Sequence, residues 1–169
     1  MRKTDIVIIG GGAAGLMAAC AAAQALKKKG AVVVVEGNQK LGRKLLATGN
    51  GRCNLTNMNV APEHYHGDVY ALNRLLDTYS PEYVRGLFRE MGLVTRSDDE
   101  GRVYPNNLQA AAVLSALKSC AEENGADCVI GSAAISVLKT KRGFLVKCEN
   151  GEEIEAVRCI LALGGAASP

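Results

Sequence analysis

The residues with the most chemical content stand near the start of the chain. Gly10, Gly12 and Gly15 are spaced G-x-G-x-x-G, the turn that joins a buried strand to a helix and seats a pyrophosphate. At Gly10 the missing Cβ permits a tight turn, at Gly12 it lets phosphates approach the backbone, and at Gly15 it lets helix and strand lie close. The first N–H groups of the helix, at Gly12, Ala13 and Ala14, then face an anion with the positive end of the helix dipole behind them. Glu36 follows 21 positions after Gly15, where such folds carry a carboxylate that accepts hydrogen bonds from ribose hydroxyls. It would repel a 2′-phosphate. This set describes a dinucleotide site and does not separate NAD from FAD.

A second group lies between Lys40 and Asn57, dense in glycine, asparagine and cations. Arg43, Lys44 and Arg52 can neutralise phosphates or an anionic reduced flavin through charge-assisted hydrogen bonds. Asn54 and Asn57 offer donors and acceptors to a polar ring edge. An enzyme that uses NAD alone would continue here with a plain helix and strand. The segment therefore reads as a long loop around a large anionic cofactor, with a polar surface loop as the plainer alternative. Cys53 beside Arg52 could have its thiol pKa lowered, or could simply be a small residue that fits. No general acid or base stands out, so the catalytic residues are left unnamed.

The elements that position these groups follow from patterning. Asp5–Ile9 and Ala31–Val35 are β-branched runs of buried-strand type, and Ala13 to about Lys28 reads as a helix rich in alanine, stopped by Gly30. Helices are expected over 70–79 and 81–91, the second with Pro81 in its first turn after a Ser80 cap. A short strand over 92–96 and its return at 102–105 form a hairpin, and a helix capped by Asn106 or Asn107 runs to about Asn124. Asp127–Ile130 is the third parallel strand. Residues 132–139, 143–149 and 153–158 alternate around two turns as a three-stranded antiparallel meander, and 159–163 is a returning strand with Gly164 and Gly165 as its turn. The fold class is α/β.

Composition narrows the function. Nearly half of the 169 residues are apolar and the net charge is +3, too small a charge to argue for nucleic acid or an anionic membrane. No stretch reaches the ~18 apolar residues of a membrane span. The Lys27-Lys28-Lys29 run reads as a solvated helix end. Six cysteines without C-x-x-C spacing or histidine company give neither a zinc site nor a disulfide framework, which points to a reducing cytoplasm. His64 and His66 read as exposed loop residues, and no metal is expected.

The motif L-G-R-K-x-x-x-T-G-x-G-R-C-N-x-T-N over 41–57, after a G-G-G-x-A-G start, resembles the signature of flavoproteins that include aminoacetone oxidase and the BaiN-type bile-acid reductases. Gly101-Arg102-Val103-Tyr104-Pro105 and Ala162-Leu163-Gly164-Gly165 resemble two further blocks of that family, with Leu163 at a usual threonine position. The resemblance implies a Rossmann-like FAD-binding domain with a parallel sheet and an inserted meander at about 132–158, over residues 1–169, truncated before a substrate domain. It implies FAD, held by Gly10, Gly12, Ala13, Ala14, Gly15, Glu36, Gly42, Arg43, Lys44, Thr48, Gly49, Gly51, Arg52, Cys53, Asn54, Ala134, Gly164 and Gly165, with adenine near Ala134 and NAD(P)H as a candidate reductant. It brings Arg102 and Tyr104 toward the substrate side. The expected activity is hydride transfer between flavin and NAD(P)H or an amine or oxo compound, on a small-molecule substrate and without nucleic acid. The rival readings are an NAD-dependent dehydrogenase, a flavin-binding module without catalysis, and a tRNA-modifying flavoprotein, the last opposed by the charge balance.

Overall fold

A computed structural model describes residues 1–27, 30–66 and 69–165. Expectations at Lys28, Lys29, Gly67, Asp68 and Ala166–Pro169 lie outside the described residues. In chain order the elements are β1 (Arg2–Ile9), α1 (Ala13–Leu26), β2 (Val32–Glu36), α2 (Arg43–Ala47), β3 (Thr56–Asn57), α3 (Val69–Thr78), α4 (Pro81–Glu90), β4 (Thr95–Ser97), β5 (Arg102–Pro105), α5 (Ala110–Glu123), β6 (Ala126–Ile130), β7 (Ala134–Thr140), β8 (Gly143–Cys148) and β9 (Glu153–Leu161). Short 3-10 turns cover Thr48–Gly51 and Pro62–His64. Contacts divide the chain into one unit of Met1–Leu45 with Leu117–Pro169 and a second of Leu46–Ala116.

The first unit is built on a six-stranded sheet in the order β6-β2-β1-β9-β8-β7. β1 pairs in parallel with β2 (Ile6 opposite Val32 through Ile9 opposite Val35) and with β9 (Ile9 opposite Leu161), while β2 pairs in parallel with β6. Strand alternation sends Val7, Ile9, Val33 and Val35 to one face, where they form a core with Val146, Cys148, Ile154 and Ala156 of the meander. Ile8, Val32 and Val34 point the other way and are also fully buried. There α1 packs on β1 and β2, presenting Gly15, Leu16, Ala19, Cys20 and Ala23. The spacing of three to four residues is that of one helix face, and its small side chains allow a close approach.

The second unit holds a three-stranded antiparallel sheet, β3-β5-β4. Ser80 caps α4 as its type predicts, its Oγ accepting from the Tyr83 N–H at 3.2 Å.

Four details differ from the sequence reading. The third meander strand and the returning strand are one: β9 pairs antiparallel with β8 at its start and parallel with β1 along its length, because no turn residue separates Arg158 from Cys159. The 40–57 segment is not a continuous loop, since α2, a 3-10 turn and β3 occupy it. β4 starts at Thr95 because Gly92, with φ +80°, and Leu93, whose N–H donates to Phe88 O at 2.8 Å, close α4 instead. Finally, α5 starts at Ala110: Asn107 Oδ1 takes the Gln109 N–H at 3.1 Å while Leu108, at φ +56°, turns the chain before the helix begins.

Candidate functional site

The Gly10–Gly15 turn lies at the C-terminal end of β1, where open parallel sheets bind ligands. Gly10 has φ +109°, a region that side chains other than glycine rarely adopt. A Cβ there would also strike the Ala162 carbonyl oxygen, and one at Gly15 would strike the carbonyl oxygen of Gly10. Both glycines are thus demanded by the chain itself. Gly12 is different. Its backbone is ordinary (φ −81°, ψ −170°), and a Cβ built on it meets nothing within 4 Å. Gly12 is the N-cap of α1, without a side-chain cap and without an acidic residue in the first turn. The first bond into the helix is Leu16 N–H to Gly12 O at 2.9 Å. The N–H groups of Gly12, Ala13, Ala14 and Gly15 have no acceptor among the described residues. An uncapped helix start of this kind attracts an anion.

Glu36 closes β2 beside that turn. Its Oε2 accepts from the Gly11 N–H at 2.8 Å, and its Oε1 accepts from both the N–H (2.8 Å) and the Nδ2 (2.7 Å) of Asn38. Gly42, at φ +69°, donates its N–H to Gly11 O at 2.8 Å and so ties the next segment to the turn. Arg43 NH1 reaches Asn38 Oδ1 at 3.5 Å, and Lys44 Nζ reaches Gly165 O at 3.4 Å. Glu36, Asn38, Arg43 and Lys44 border a cleft of about 410 Å³, within the usual range of ligand sites. Of the residues expected from sequence, Gly10, Gly12, Glu36, Arg43, Lys44, Ala134 and Gly164 line it. Sequence reasoning missed Asn38, Gly37 and Ala133 in the same wall. A Cβ on Gly37 would stand 3.1 Å from that of Ala133, a signal visible only once β2 and the 131–134 turn are side by side. A second cleft, about 440 Å³, opens at the other end of the strands by Lys3, Asp5 and Glu155 and contains none of the expected residues.

Thr48, Gly49, Gly51, Arg52, Cys53 and Asn54 lie in the second unit. Here the backbone is engaged with itself. Cys53 N–H donates to Thr48 O at 3.0 Å, and both the N–H (3.2 Å) and Nε (3.0 Å) of Arg52 donate to Gly49 O. Gly49, Asn50, Gly51 and Cys53 all have positive φ. The Arg52 guanidinium lies 5.0 Å from the centre of the Tyr104 ring, a cation–π contact. It does not activate Cys53: that thiol is buried, and burial pushes its pKa up, against a smaller opposing pull from the Thr48 hydroxyl. Asn57 is engaged as well, its Nδ2 donating to Glu100 O and its Oδ1 accepting from the Asn59 N–H. Arg102 pairs with Asp98 and Glu100, each at 2.8 Å, and its guanidinium holds the Asp98 carboxyl below the usual carboxylate range.

Comparison with known proteins decides the family. The profile of the HI0933-like protein Rossmann domain matches residues 4–169. The chain belongs to that family. Among curated relatives, the 3-dehydro-bile acid delta(4,6)-reductase of Clostridium scindens is 37% identical over 79% of this chain and 32% of its own length. A ribosomal RNA dihydrouridine synthase of Haemophilus influenzae is 30% identical over 79% of this chain and 34% of its own. The chain thus spans about a third of the length of these relatives. Among solved structures, 3-ketosteroid-delta4-(5alpha)-dehydrogenase from Rhodococcus jostii shares the fold with a TM-score of 0.72 at 15% identity, covering 97% of this chain and 46% of that one. The resemblance and the α/β Rossmann fold read from the sequence of this HI0933-like domain are borne out. The expectation of no nucleic-acid partner gains no support, since one of these relatives is named for acting on ribosomal RNA. Among the described residues, no helix is long and apolar enough to cross a membrane.

Proposed function

We propose that this HI0933-like domain is the FAD-binding part of a flavin-dependent oxidoreductase that works on a small-molecule substrate in the cytoplasm. The observation that carries the reading is Gly12. Neither backbone strain nor packing within the chain demands glycine there, whereas a bound pyrophosphate pressed against the uncapped start of α1 does. The N–H groups of Gly12, Ala13, Ala14 and Gly15 would take the pyrophosphate, and Arg43 and Lys44 would neutralise it. Glu36 would accept a ribose hydroxyl, and Ala134 would border the adenine. Gly164 and Gly165 would let the chain pass the phosphates without a Cβ. By resemblance, Thr48, Gly49, Gly51, Arg52, Cys53 and Asn54 belong to the flavin-ring side. Bound FAD supplies hydride acceptance and release, exchanged with NAD(P)H or with an amine or oxo substrate. The likeness to a bile-acid reductase supports an oxo compound as that substrate.

The purified protein is expected to be yellow and to release FAD on denaturation. A colourless protein that binds NAD and not FAD would return the site to a plain dehydrogenase. The 30% identity to a ribosomal RNA dihydrouridine synthase favours a second reading, a flavoprotein that modifies RNA. RNA retention that weakens steeply with salt, without turnover of oxo compounds, would select it.

A further inference from the structure

We infer that Asn38 is a positioning residue that makes Glu36 selective for a nucleotide with free ribose hydroxyls, an inference that rests on the FAD reading above. A carboxylate has about four acceptor positions. Three of those on Glu36 are filled: Oε1 by the N–H and Nδ2 of Asn38, and Oε2 by the Gly11 N–H. The carboxylate cannot rotate without breaking these bonds, so a single acceptor position remains on Oε2, with a fixed direction at a wall of the cleft.

The same amide has a second task. Its Oδ1 accepts from Arg43 NH1 at 3.5 Å, so one neutral side chain stands between the anion and a cation of the cleft. An amide oxygen holds the guanidinium without neutralising it. Without that spacer Arg43 can close on Glu36 as an ion pair, and a guanidinium binding bidentately would take the remaining acceptor position. Asn38 thereby keeps Glu36 available to a hydroxyl and Arg43 available to a phosphate.

The test uses the purified protein freed of nucleotide and titrated calorimetrically with ADP, 2′-deoxy-ADP and 3′-deoxy-ADP. The parent should bind ADP about tenfold more tightly than the weaker deoxy analogue, as one hydrogen bond to a charged acceptor gives. In Asn38→Ala that ratio should fall to about twofold, because ADP weakens while the deoxy analogue hardly changes. Asn38→Gln, which restores an amide, should recover part of the ratio. The fold should survive, since the bond from Gly131 N–H to Asn38 O, at 2.9 Å, is made by backbone atoms. A purely structural role would weaken all three nucleotides equally, and an unchanged ratio in Asn38→Ala would overturn the inference. A parent that binds ADP without discriminating the analogues would overturn it too while leaving the FAD reading intact. A parent that binds neither ADP nor FAD would overturn both.

Discussion

The chain has two glycine-rich turns, one in each unit, and they use glycine for different ends. In Gly10–Gly15, two glycines satisfy the chain: Gly10 turns it at φ +109°, and Gly15 admits the Gly10 carbonyl against α1. The third, Gly12, satisfies nothing in the chain, and the donors beside it are idle. In residues 48–54 the glycines serve conformation, and the backbone donors of Arg52 and Cys53 close on Gly49 and Thr48. In the second turn these donors are already engaged within the turn itself. In the first turn a row of N–H groups stays open at a helix start, an arrangement that can receive an anion. Similar composition therefore does not imply similar work.

The comparison can be broken at several points. Gly15→Val should do the most damage, since the new Cβ meets a backbone oxygen that cannot move aside. We expect a loss above about 4 kcal/mol, read as failure to recover soluble folded protein. Gly12→Val should fold normally by circular dichroism and yet retain no FAD. Equal flavin content in this variant and the parent would remove the receptor reading of the first turn. Glu36→Gln should weaken FAD about tenfold, because one of the donors from Gly11 and Asn38 would then face an amide NH₂ instead of an acceptor. In the second turn, Gly51→Ala has open space but a φ of +81°. It should lower the unfolding free energy by about 1 kcal/mol, measured in urea.

A further effect appears only at alkaline pH. Burial and the neighbouring Cys120 push the Cys20 thiol from its ordinary 9.0 to about 12. The folded state thus holds this proton more tightly than the unfolded chain. The resulting stabilisation is complete below pH 9 and is lost as pH rises through the interval to about 12. The urea midpoint should fall over that window, and fall less in Cys20→Ala.

Much of the fold was legible because its signals are local. Val32 to Val35 can hardly be anything but a buried strand, and the alanines of α1 repeat at the spacing of its buried face. The union of the last meander strand with the returning strand was not legible. A strand that keeps one neighbour along its length and has a second only at its start leaves no mark in the residue pattern. In the site, Gly10, Gly12, Gly15 and Glu36 were readable from spacing alone. Asn38 was not, because asparagine after a strand is an ordinary turn residue, and its work depends on where Glu36 and Arg43 happen to stand.

The sequence by itself determined which residues could face a dinucleotide, since backbone freedom and charge are properties of residue type. Only the tertiary structure decided which of them already have partners within the chain. Arg52 stacks on Tyr104 and Asn57 donates to Glu100, and the Cys53 thiol, whose pKa the adjacent Arg52 could have lowered, is buried with its pKa pushed up. Gly12 alone among the three motif glycines faces open space. Such partnering depends on hydrogen bonds and packing between residues far apart in the chain, and spacing along one strand of sequence does not encode them.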